Sequence, residues 1–244
     1  MKGRASNVLS TALPVFAVAS VGMLGSLGLS GFAGGATMVT NETVTRFLES
    51  ARPPLTSFRA KRHLEASTRG GKLKAQLDAW TDLTADGAFT FEIIQESGSD
   101  LLRGHVLRTA LLEEQRSRAA ANLAESALTP ANYDFQPDET SREGDLVRID
   151  LTPRRKSRML IEGAAFVTRE NADLVRVEGL LSKRPSFWTR KVHVTRRYER
   201  IEGVRVPVEM QSRADVLIVG DSSFSMTYEY TAINGRDLSR DGTP

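Results

Sequence analysis

The chain has 244 residues, with 33 basic and 30 acidic side chains and a formal net charge of +3 at pH 7. This near-balance gives nucleic-acid binding no global electrostatic support. Cysteine is absent, which excludes a disulfide framework, a thiol nucleophile, a thiolate metal site and the lipidated cysteine of a lipoprotein. The three histidines, His63, His105 and His193, are too far apart in sequence to predict a metal-binding pair.

Residues 1–36 are predicted to be a targeting segment. Lys2 and Arg4 are its only charged residues, and the next charge along the chain is Glu42. A basic start, an apolar stretch and then small residues are typical of a secretory signal, with cleavage expected near Ala36. The uncharged stretch also exceeds the ~20 residues that a membrane-spanning helix needs, so an inner-membrane anchor is the alternative. Cleavage would give a periplasmic or exported protein of nearly neutral charge.

Residues 37–235 are predicted to form one domain, which begins with a short helix over residues 40–51. Three strands then follow: Ser57–Ser67, Lys72–Asp82 and Ala88–Gln95. Gly70-Gly71 and Asp86-Gly87 supply residues typical of the two hairpin turns. Alternation places Arg62 on the apolar face of the first strand, together with Phe58, Ala60 and Leu64. The apolar face of the third strand consists of Phe89, Phe91 and Ile93.

Residues 99–128 change to a helical period and predict one long helix, which ends at Thr129-Pro130. Apolar residues at spacings of three and four define one side of this helix: Leu101, Leu102, Val106 and Leu112. Charged residues define the opposite, polar side: Glu113, Glu114, Arg116 and Arg118. A helix with these two sides is expected to lie with its apolar side against a sheet.

The rest of the chain predicts strands joined by short turns. They cover Tyr133–Thr140, Leu146–Pro153, Leu160–Thr168, Leu174–Leu181, Lys191–Ile201, Val204–Met210, Val216–Val219 and Phe224–Ile233. Gly220-Asp221-Ser222 is expected to form the turn before the last strand. In that strand Phe224, Met226, Tyr228 and Tyr230 share one face, which is predicted to be the face that also carries Val192 and Val194.

The sequence contains no convincing catalytic or metal-binding motif. Residues 82–87 match the first half of a calcium loop, but Ile93 stands where the loop requires a glutamate, so a hairpin turn is favoured. Gly220-Asp221-Ser222 resembles a hydrolase nucleophile motif, but no histidine follows it, which favours a turn. We therefore expect a protein that is not an enzyme and has no catalytic residue, cofactor or metal.

Two loops are candidates for surface contacts. The densest basic run contains Arg154 and Arg155; it is either a solvated hairpin tip or a contact for anionic headgroups or an acidic partner. Phe187 and Trp188 lie in a predicted loop between basic pairs. They are expected either to touch a membrane, to close a cavity, or simply to plug the end of the sheet.

The second half of the chain resembles a known family over residues 145–235. The pattern consists of five stretches in order: Leu160–Gly163, Asp173–Gly179, Pro185–Trp188, Tyr198–Pro207 and Phe224–Tyr230. It is similar to bacterial envelope proteins related to the LolA/LolB lipoprotein carriers. The resemblance implies an α+β fold, in which a strongly curved antiparallel half-barrel of about 10–11 strands holds a long helix against its concave face. Residues 236–244 would then form a flexible C-terminal tail.

The same resemblance implies a non-enzymatic periplasmic carrier that binds lipid or lipoprotein acyl chains in an apolar cavity. The expected cavity and lid residues are Phe89, Phe91, Ile93, Leu101, Leu102, Val106, Val192, Val194, Phe224, Met226 and Tyr228, with Phe187, Trp188, Arg154 and Arg155 at the rim. The partners would be an acyl chain and a membrane surface or envelope protein, without nucleic acid. The alternative is a regulatory module of the same fold that senses envelope stress by binding a protein.

Overall fold

A computed structural model describes residues 42–49, 53–118, 124–186, 189–217 and 220–238. Within the strand at residues 133–143, the side chains of residues 139–142 are not described. The predicted targeting segment, the two aromatic residues Phe187 and Trp188, and residues 239–244 of the predicted tail all lie outside the described residues. None of the described helices is both long enough and apolar enough to span a membrane.

The domain is one large, open and curved antiparallel sheet. Its strands are β1 (Phe58–Thr68), β2 (Leu73–Leu83), β3 (Phe89–Gly98), β4 (Tyr133–Glu143), β5 (Leu146–Pro153), β6 (Ile161–Thr168), β7 (Leu174–Leu181), β8 (Thr189–Ile201), β9 (Val204–Val216), β10 (Gly220–Ile233) and β11 (Arg236–Asp237). The spatial order is β3-β2-β1-β10-β9-β8-β7-β6-β5-β4, with β11 beside the end of β10. The first and last long strands of the domain, β1 and β10, therefore pair with each other and join the two halves of the chain.

One face of the sheet is buried from one side of the domain to the other, and we call it the inner face. Residues that pair directly across antiparallel strands lie on the same face. One such row runs through Leu77, Leu64, Met226, Met210, Arg196, Val177, Ala165 and Ile149, and all eight are buried. A neighbouring row joins Phe224 to Val194 through Ser212. This confirms that Phe224, Met226 and Val194 share a face.

A helical stretch, residues 100–117, covers part of the inner face, and we call it the covering helix. It consists of α2 (Asp100–Leu102), a π-helical segment (Arg103–Arg108) and α3 (Thr109–Ser117). Its buried side carries Leu102, Val106, Leu107, Ala110, Leu111 and Glu114. A shorter helix, α1 (Glu42–Glu49), buries Val44 and Phe47; the Phe47 ring lies 6.2 Å from the ring of Phe135.

The predicted sides of the covering helix were partly wrong. Leu112, expected over the sheet, is 38% exposed, whereas Glu114, expected on the polar side, is only 3% exposed. The cause is the π-helical segment, because its i→i+5 bonds place more residues in each turn than the 3.6-residue period assumes. Leu111 and Glu114 consequently face the sheet in place of Leu112. The covering helix ends at Ser117; residues 119–123 lie outside the described residues, and residues 124–126 are helical.

The strand predictions were correct in number and order until the end of the sheet. Of the predicted separate strand Val216–Val219, Val216 is instead the last residue of β9 and pairs with Gly220, and residues 218–219 lie outside the described residues. Gly220, Asp221 and Ser222, predicted to be a turn, instead begin β10. At the C-terminus, Arg236–Asp237 forms β11, so the sheet extends two residues into the predicted tail. The pairing of β9 with β10 continues through Gly220, Asp221 and Ser222, although these residues are typical of a turn when the sequence is considered alone.

Two glycines, Gly163 on β6 and Gly179 on β7, face each other at a point where the two backbones approach closely. A Cβ atom added at Gly163 would lie 2.1 Å from the carbonyl oxygen of Glu178 and 2.6 Å from the Cα of Gly179. No side chain fits such a space, so glycine is required for the local course of both strands.

We predict that Gly163→Ala destabilises the protein by about 1–3 kcal/mol, because the methyl group overpacks the β6–β7 contact. Gly104→Ala is the matched control, since a Cβ at Gly104 meets nothing within 4 Å and alanine favours a helix. Urea denaturation of both variants would measure the difference. Equal stabilities would show that the β6–β7 backbones separate without cost.

Candidate functional site

The structure brings together the predicted cavity and lid residues that it describes. Buried on the inner face or beneath the covering helix are Phe89, Leu102, Val106, Val192, Val194, Phe224 and Met226, and half-buried beside them are Phe91, Ile93, Leu101 and Tyr228. In the apolar layer between the sheet and the covering helix, all of them except Phe89 belong to one cluster with Leu107 and Leu111 of the helix. Phe89 belongs to a second cluster, against which Phe91 and Tyr228 also pack. Their role in holding a ligand stays a prediction.

A buried ion-pair network lies at the centre of this apolar layer. Arg62 of β1 is 1% exposed, and its guanidinium donates hydrogen bonds to both carboxylate oxygens of Glu114 on the covering helix, at 2.5 and 3.1 Å. Arg118 donates to the same carboxylate at 2.8 Å. The network therefore ties the end of the covering helix directly to a central strand of the sheet.

Aromatic rings enclose the two arginines of the network. The Arg62 guanidinium lies 4.5 Å from the ring centroid of Tyr228 and 5.2 Å from that of Phe89, while Arg118 lies 5.4 Å from Phe89 and 5.6 Å from Phe58. Ring faces attract cations, and more strongly where water is excluded. The predicted cavity residues Phe89 and Tyr228 thus form the walls of the ion-pair network.

The charges of the network determine the pKa of Glu114. Burial alone would raise this pKa, but the nearby Arg62 and Arg118 lower it from 4.5 to about 2. A carboxylate whose pKa is lower in the folded state stabilises the fold at pH values above the ordinary pKa, and this contribution is lost as the pH falls through the lowered value. The ionised carboxylate of Glu114 therefore stabilises the closed position at neutral pH, and this contribution is lost as the pH falls from 4.5 to about 2.

A second buried arginine, Arg196 of β8, lies in the middle of the inner face and is 5% exposed. It occupies the apolar phase of its strand, between Val194 and Tyr198. Its guanidinium interacts with the hydroxyl of Tyr198 and with the charge of Tyr133 if that group ionises. Burial raises the pKa of both tyrosines, so both hydroxyls are protonated and neutral at pH 7. The nearest partners of Arg196 are therefore neutral.

The described part of the predicted rim is engaged in local contacts. Arg154 forms an ion pair of 2.6 Å with Asp134. Arg155 donates to the side chain of Asn132 at 2.6 Å and to the carbonyl of Glu125 at 2.9 Å. These contacts fasten the segment after the covering helix to the β5–β6 connection. Contact of either arginine with a membrane or partner stays a prediction.

Two sequence motifs have structural explanations. Asp86 lies in the hairpin turn between β2 and β3, where its carboxylate accepts hydrogen bonds from Thr84 and from the backbone of Ala88. Asp221 and Ser222 lie within β10. Within the described residues, no group of three or more acidic, histidine or cysteine side chains is arranged to hold a metal ion.

Sequence reasoning missed the two buried polar centres. The signal was nevertheless present, because Arg62 and Arg196 both occupy the inward phase of strands whose other inward residues are apolar. A charged residue at such a position is seldom buried unless it is paired or functional. Glu114 gave no comparable signal, since the π-helical segment changes which residues of the helix face the sheet.

Comparison of the chain with known proteins gives matches at the level of structure. No protein-family model matches the sequence, and no curated protein matches it significantly. A LolA superfamily protein from Nitrosomonas europaea is 14% identical, with a TM-score of 0.40, and the match covers 77% of this chain and 89% of that chain. A DUF1329 family protein from Desulfovibrio piger is 12% identical, with a TM-score of 0.37 and coverage of 77% and 88%.

The Pseudomonas aeruginosa complex of MucA and MucB also matches, with 12% identity, a TM-score of 0.23, and coverage of 77% of this chain and 92% of that chain. The solved structures that match thus include the family whose strand pattern the sequence resembles.

We predict that Glu114→Ala destabilises the protein by about 3–5 kcal/mol at pH 7, because it leaves Arg62 buried without a counter-charge. The double variant Arg62→Met/Glu114→Leu is expected to cost less than Glu114→Ala alone, since apolar residues can replace a buried ion pair at little cost. Urea denaturation of the matching single variants, Arg62→Met and Glu114→Leu, and of the double variant would give the coupling energy.

Glu113→Ala is the matched control for this cycle. Glu113 pairs with Arg116 near the helix surface, so its removal should cost less than about 1 kcal/mol. A Glu114→Ala variant as stable as Glu113→Ala would show that the buried network does not hold the covering helix.

Proposed function

We propose that the protein is a non-enzymatic carrier that binds a lipid or lipoprotein acyl chain between the inner face and the covering helix. The observation that supports this most directly is the layer between them, which is mostly apolar; its charged groups are the network around Arg62 and Glu114 and, further along the inner face, Arg196. A single helix bearing an apolar side covers an apolar sheet face, and an acyl chain could replace its contacts. Each buried CH₂ of such a chain would contribute up to ~0.8 kcal/mol.

The covering helix has a feature suited to opening. Its central segment, Arg103–Arg108, is π-helical, and such irregular segments are frequent at functional sites. The apolar contacts of Leu107 and Leu111 with the sheet would be exchanged for contacts with the acyl chain, so opening need not expose the inner face to water. Loading and release then require a shift between two packed states, without any bond being made or broken.

The ion-pair network would favour the closed state. In that state Glu114 neutralises Arg62, and moving the helix away would leave Arg62 buried without its counter-charge. The binding energy of the cargo must therefore offset the cost of separating Arg62 from Glu114. This cost keeps the empty carrier closed, and it also weakens cargo binding enough for the cargo to pass to a better acceptor. Weakening the ion-pair network is therefore expected to increase the affinity for cargo and to lower the stability of the empty protein.

We predict that cargo lengthens the distance between the covering helix and the sheet. Because the chain has no cysteine, spin labels can be attached to the pair Leu112→Cys/Thr227→Cys, both at exposed positions. Addition of a palmitoylated peptide should increase this distance, and Glu114→Gln should increase the fraction of the open state. The control pair Thr227→Cys/Glu162→Cys, both within the sheet, should not change.

A matched pair of leucines tests the same opening by binding. Leu111→Ala removes a buried contact between the covering helix and the sheet, whereas Leu112→Ala alters the exposed side of the same helix. Leu111→Ala should change the affinity for a fluorescent fatty-acid probe, and Leu112→Ala should leave it unchanged. Constant label distances, together with no lipid in the purified protein by native mass spectrometry, would refute the carrier function.

We propose further that the protein acts in the periplasm or outside the cell after cleavage of its targeting segment. The support is the charge-free stretch after Lys2 and Arg4. N-terminal sequencing of the exported protein should then start near Ala36 or Thr37. Recovery of the full-length chain only in the membrane fraction would indicate an anchor instead.

A regulatory binding module is the second candidate, and the sheet edge at β3 favours it. β3 ends the described strand order, and Ile94, which forms a bulge there, is 46% exposed. Such an edge can accept a strand of a partner protein. Capture of a membrane-anchored regulator that protects the β3 amides from hydrogen exchange, with no bound lipid, would favour this function over the carrier.

A further inference from the structure

The inner face holds a buried cation, Arg196, to which none of the described residues supplies a counter-charge. The described arginines with a buried Nε–H group that lacks a hydrogen-bond acceptor include Arg62, Arg103, Arg118 and Arg196. The first three form ion pairs with carboxylates through other nitrogens of the guanidinium group. Arg196 alone among them has no ion pair with any residue that the structure describes. It is also one of the two most deeply buried arginines of the inner face, at 5% exposure.

A second orphaned polar group lies beside it. Arg196 pairs with Met210 across β8 and β9, and Val194 pairs with Ser212. Arg196 and Ser212 are therefore diagonal neighbours on the inner face, at a separation of roughly 7–8 Å between backbones, which long side chains can bridge. The Ser212 hydroxyl is buried and has no hydrogen-bond partner within the described structure.

The surrounding groups complete a set of donors for an anion. Tyr198 and Tyr133 both interact electrostatically with Arg196, and the backbone N–H of Ile161 donates to the Tyr133 hydroxyl at 3.0 Å. That bond leaves the hydroxyl proton of Tyr133 available for an acceptor. Arg196 thus has hydroxyl groups close to it on both sides along the inner face, with Tyr198 on its own strand and Ser212 on β9. None of the described residues forms an ion pair with Arg196 through a carboxylate.

We propose that Arg196, with Ser212 and Tyr198, binds the anionic headgroup of the amphiphile whose acyl chain occupies the inner face. The inference rests on the proposed carrier function and adds the chemical class of its cargo: a single acyl chain with a carboxylate or phosphate. A guanidinium is suited to both anions because its forked N–H groups match their oxygens. The adjoining apolar row, with Met210, Val177 and Met226, accommodates the chain.

The effect of replacing Arg196 on protein stability distinguishes an arginine retained for binding from one that is purely structural. A buried charge without an ion-pair partner lowers the stability of the empty protein, so an apolar residue of similar size at that position is neutral or stabilising. A purely structural arginine would show loss of stability on the same replacement. A group retained for binding combines unchanged or higher stability with loss of ligand recognition.

The test compares three ligands that share one chain: oleate, oleoyl lysophosphatidate and the uncharged oleyl alcohol. Titration calorimetry with the purified protein should show that one or both anions bind more tightly than the alcohol. In Arg196→Met this preference should fall by about ten- to hundredfold, the loss expected for a charge-assisted hydrogen bond, while alcohol binding and the melting temperature are retained. Preference for oleate would identify a carboxylate headgroup, and preference for lysophosphatidate a phosphate.

Arg197→Met is the matched control, since Arg197 is the next residue on β8, is exposed, and pairs with Glu209 on the opposite face. It should leave the preference for anions unchanged. If Arg197→Met lowers the preference as much as Arg196→Met, or if neither does, the headgroup site is refuted while the carrier function stands. If none of the three ligands binds the protein, both the carrier function and the headgroup site are refuted.

A measurement on the unmutated protein tests the proposal even if Arg196→Met does not fold. In protein labelled with ¹⁵N-arginine, the Nε–Hε signal of Arg196, assigned with Arg196→Lys, should move on addition of oleate or oleoyl lysophosphatidate and stay in place with oleyl alcohol. A signal that responds identically to all three ligands would overturn the proposal.

Discussion

The need to neutralise a guanidinium buried at the centre of the sheet governs the arrangement of this protein. Arg62 belongs to β1, which pairs with both β2 and β10 and so occupies a central position where no water is available. An isolated charge at such a place is strongly unfavourable. Glu114 supplies the counter-charge from the covering helix, so the position of the helix on the sheet is determined by electrostatics as well as by apolar packing.

This constraint connects the fold to the proposed carrier function. Apolar contacts alone are non-directional and would allow the covering helix to slide along the inner face. The hydrogen bonds between Arg62 and Glu114 specify one closed position. An acyl chain can substitute for the apolar contacts but not for these hydrogen bonds. In the proposed carrier, the closed state would therefore differ from an open one by a small number of identifiable interactions, as a switch between two packed states requires.

The two buried arginines of the inner face serve different purposes in this account. Arg62 is satisfied in the closed protein by Glu114 and by the faces of Tyr228 and Phe89. Arg196 has neutral hydroxyls as its described partners. In the proposed carrier, the first cation would hold the helix in place when the protein is empty, and the second would be available to an anion brought by the cargo. Both arginines lie on the inner face, and two strands, β9 and β10, separate β1 from β8.

The sequence by itself determined the strands, their order and their buried faces, because alternation of apolar and polar residues has a period that local backbone geometry enforces. Ten of the eleven strands, the short helix at residues 42–49 and the inward position of Arg62 were all readable in this way. Tertiary structure alone decided which side of the covering helix faces the sheet, since a π-helical segment changes the period without an evident sequence signal. Tertiary structure alone also decided that Glu114 neutralises Arg62 and that none of the described carboxylates pairs with Arg196. Ion pairing depends on residues that are distant in sequence and meet only when the sheet curves around the helix.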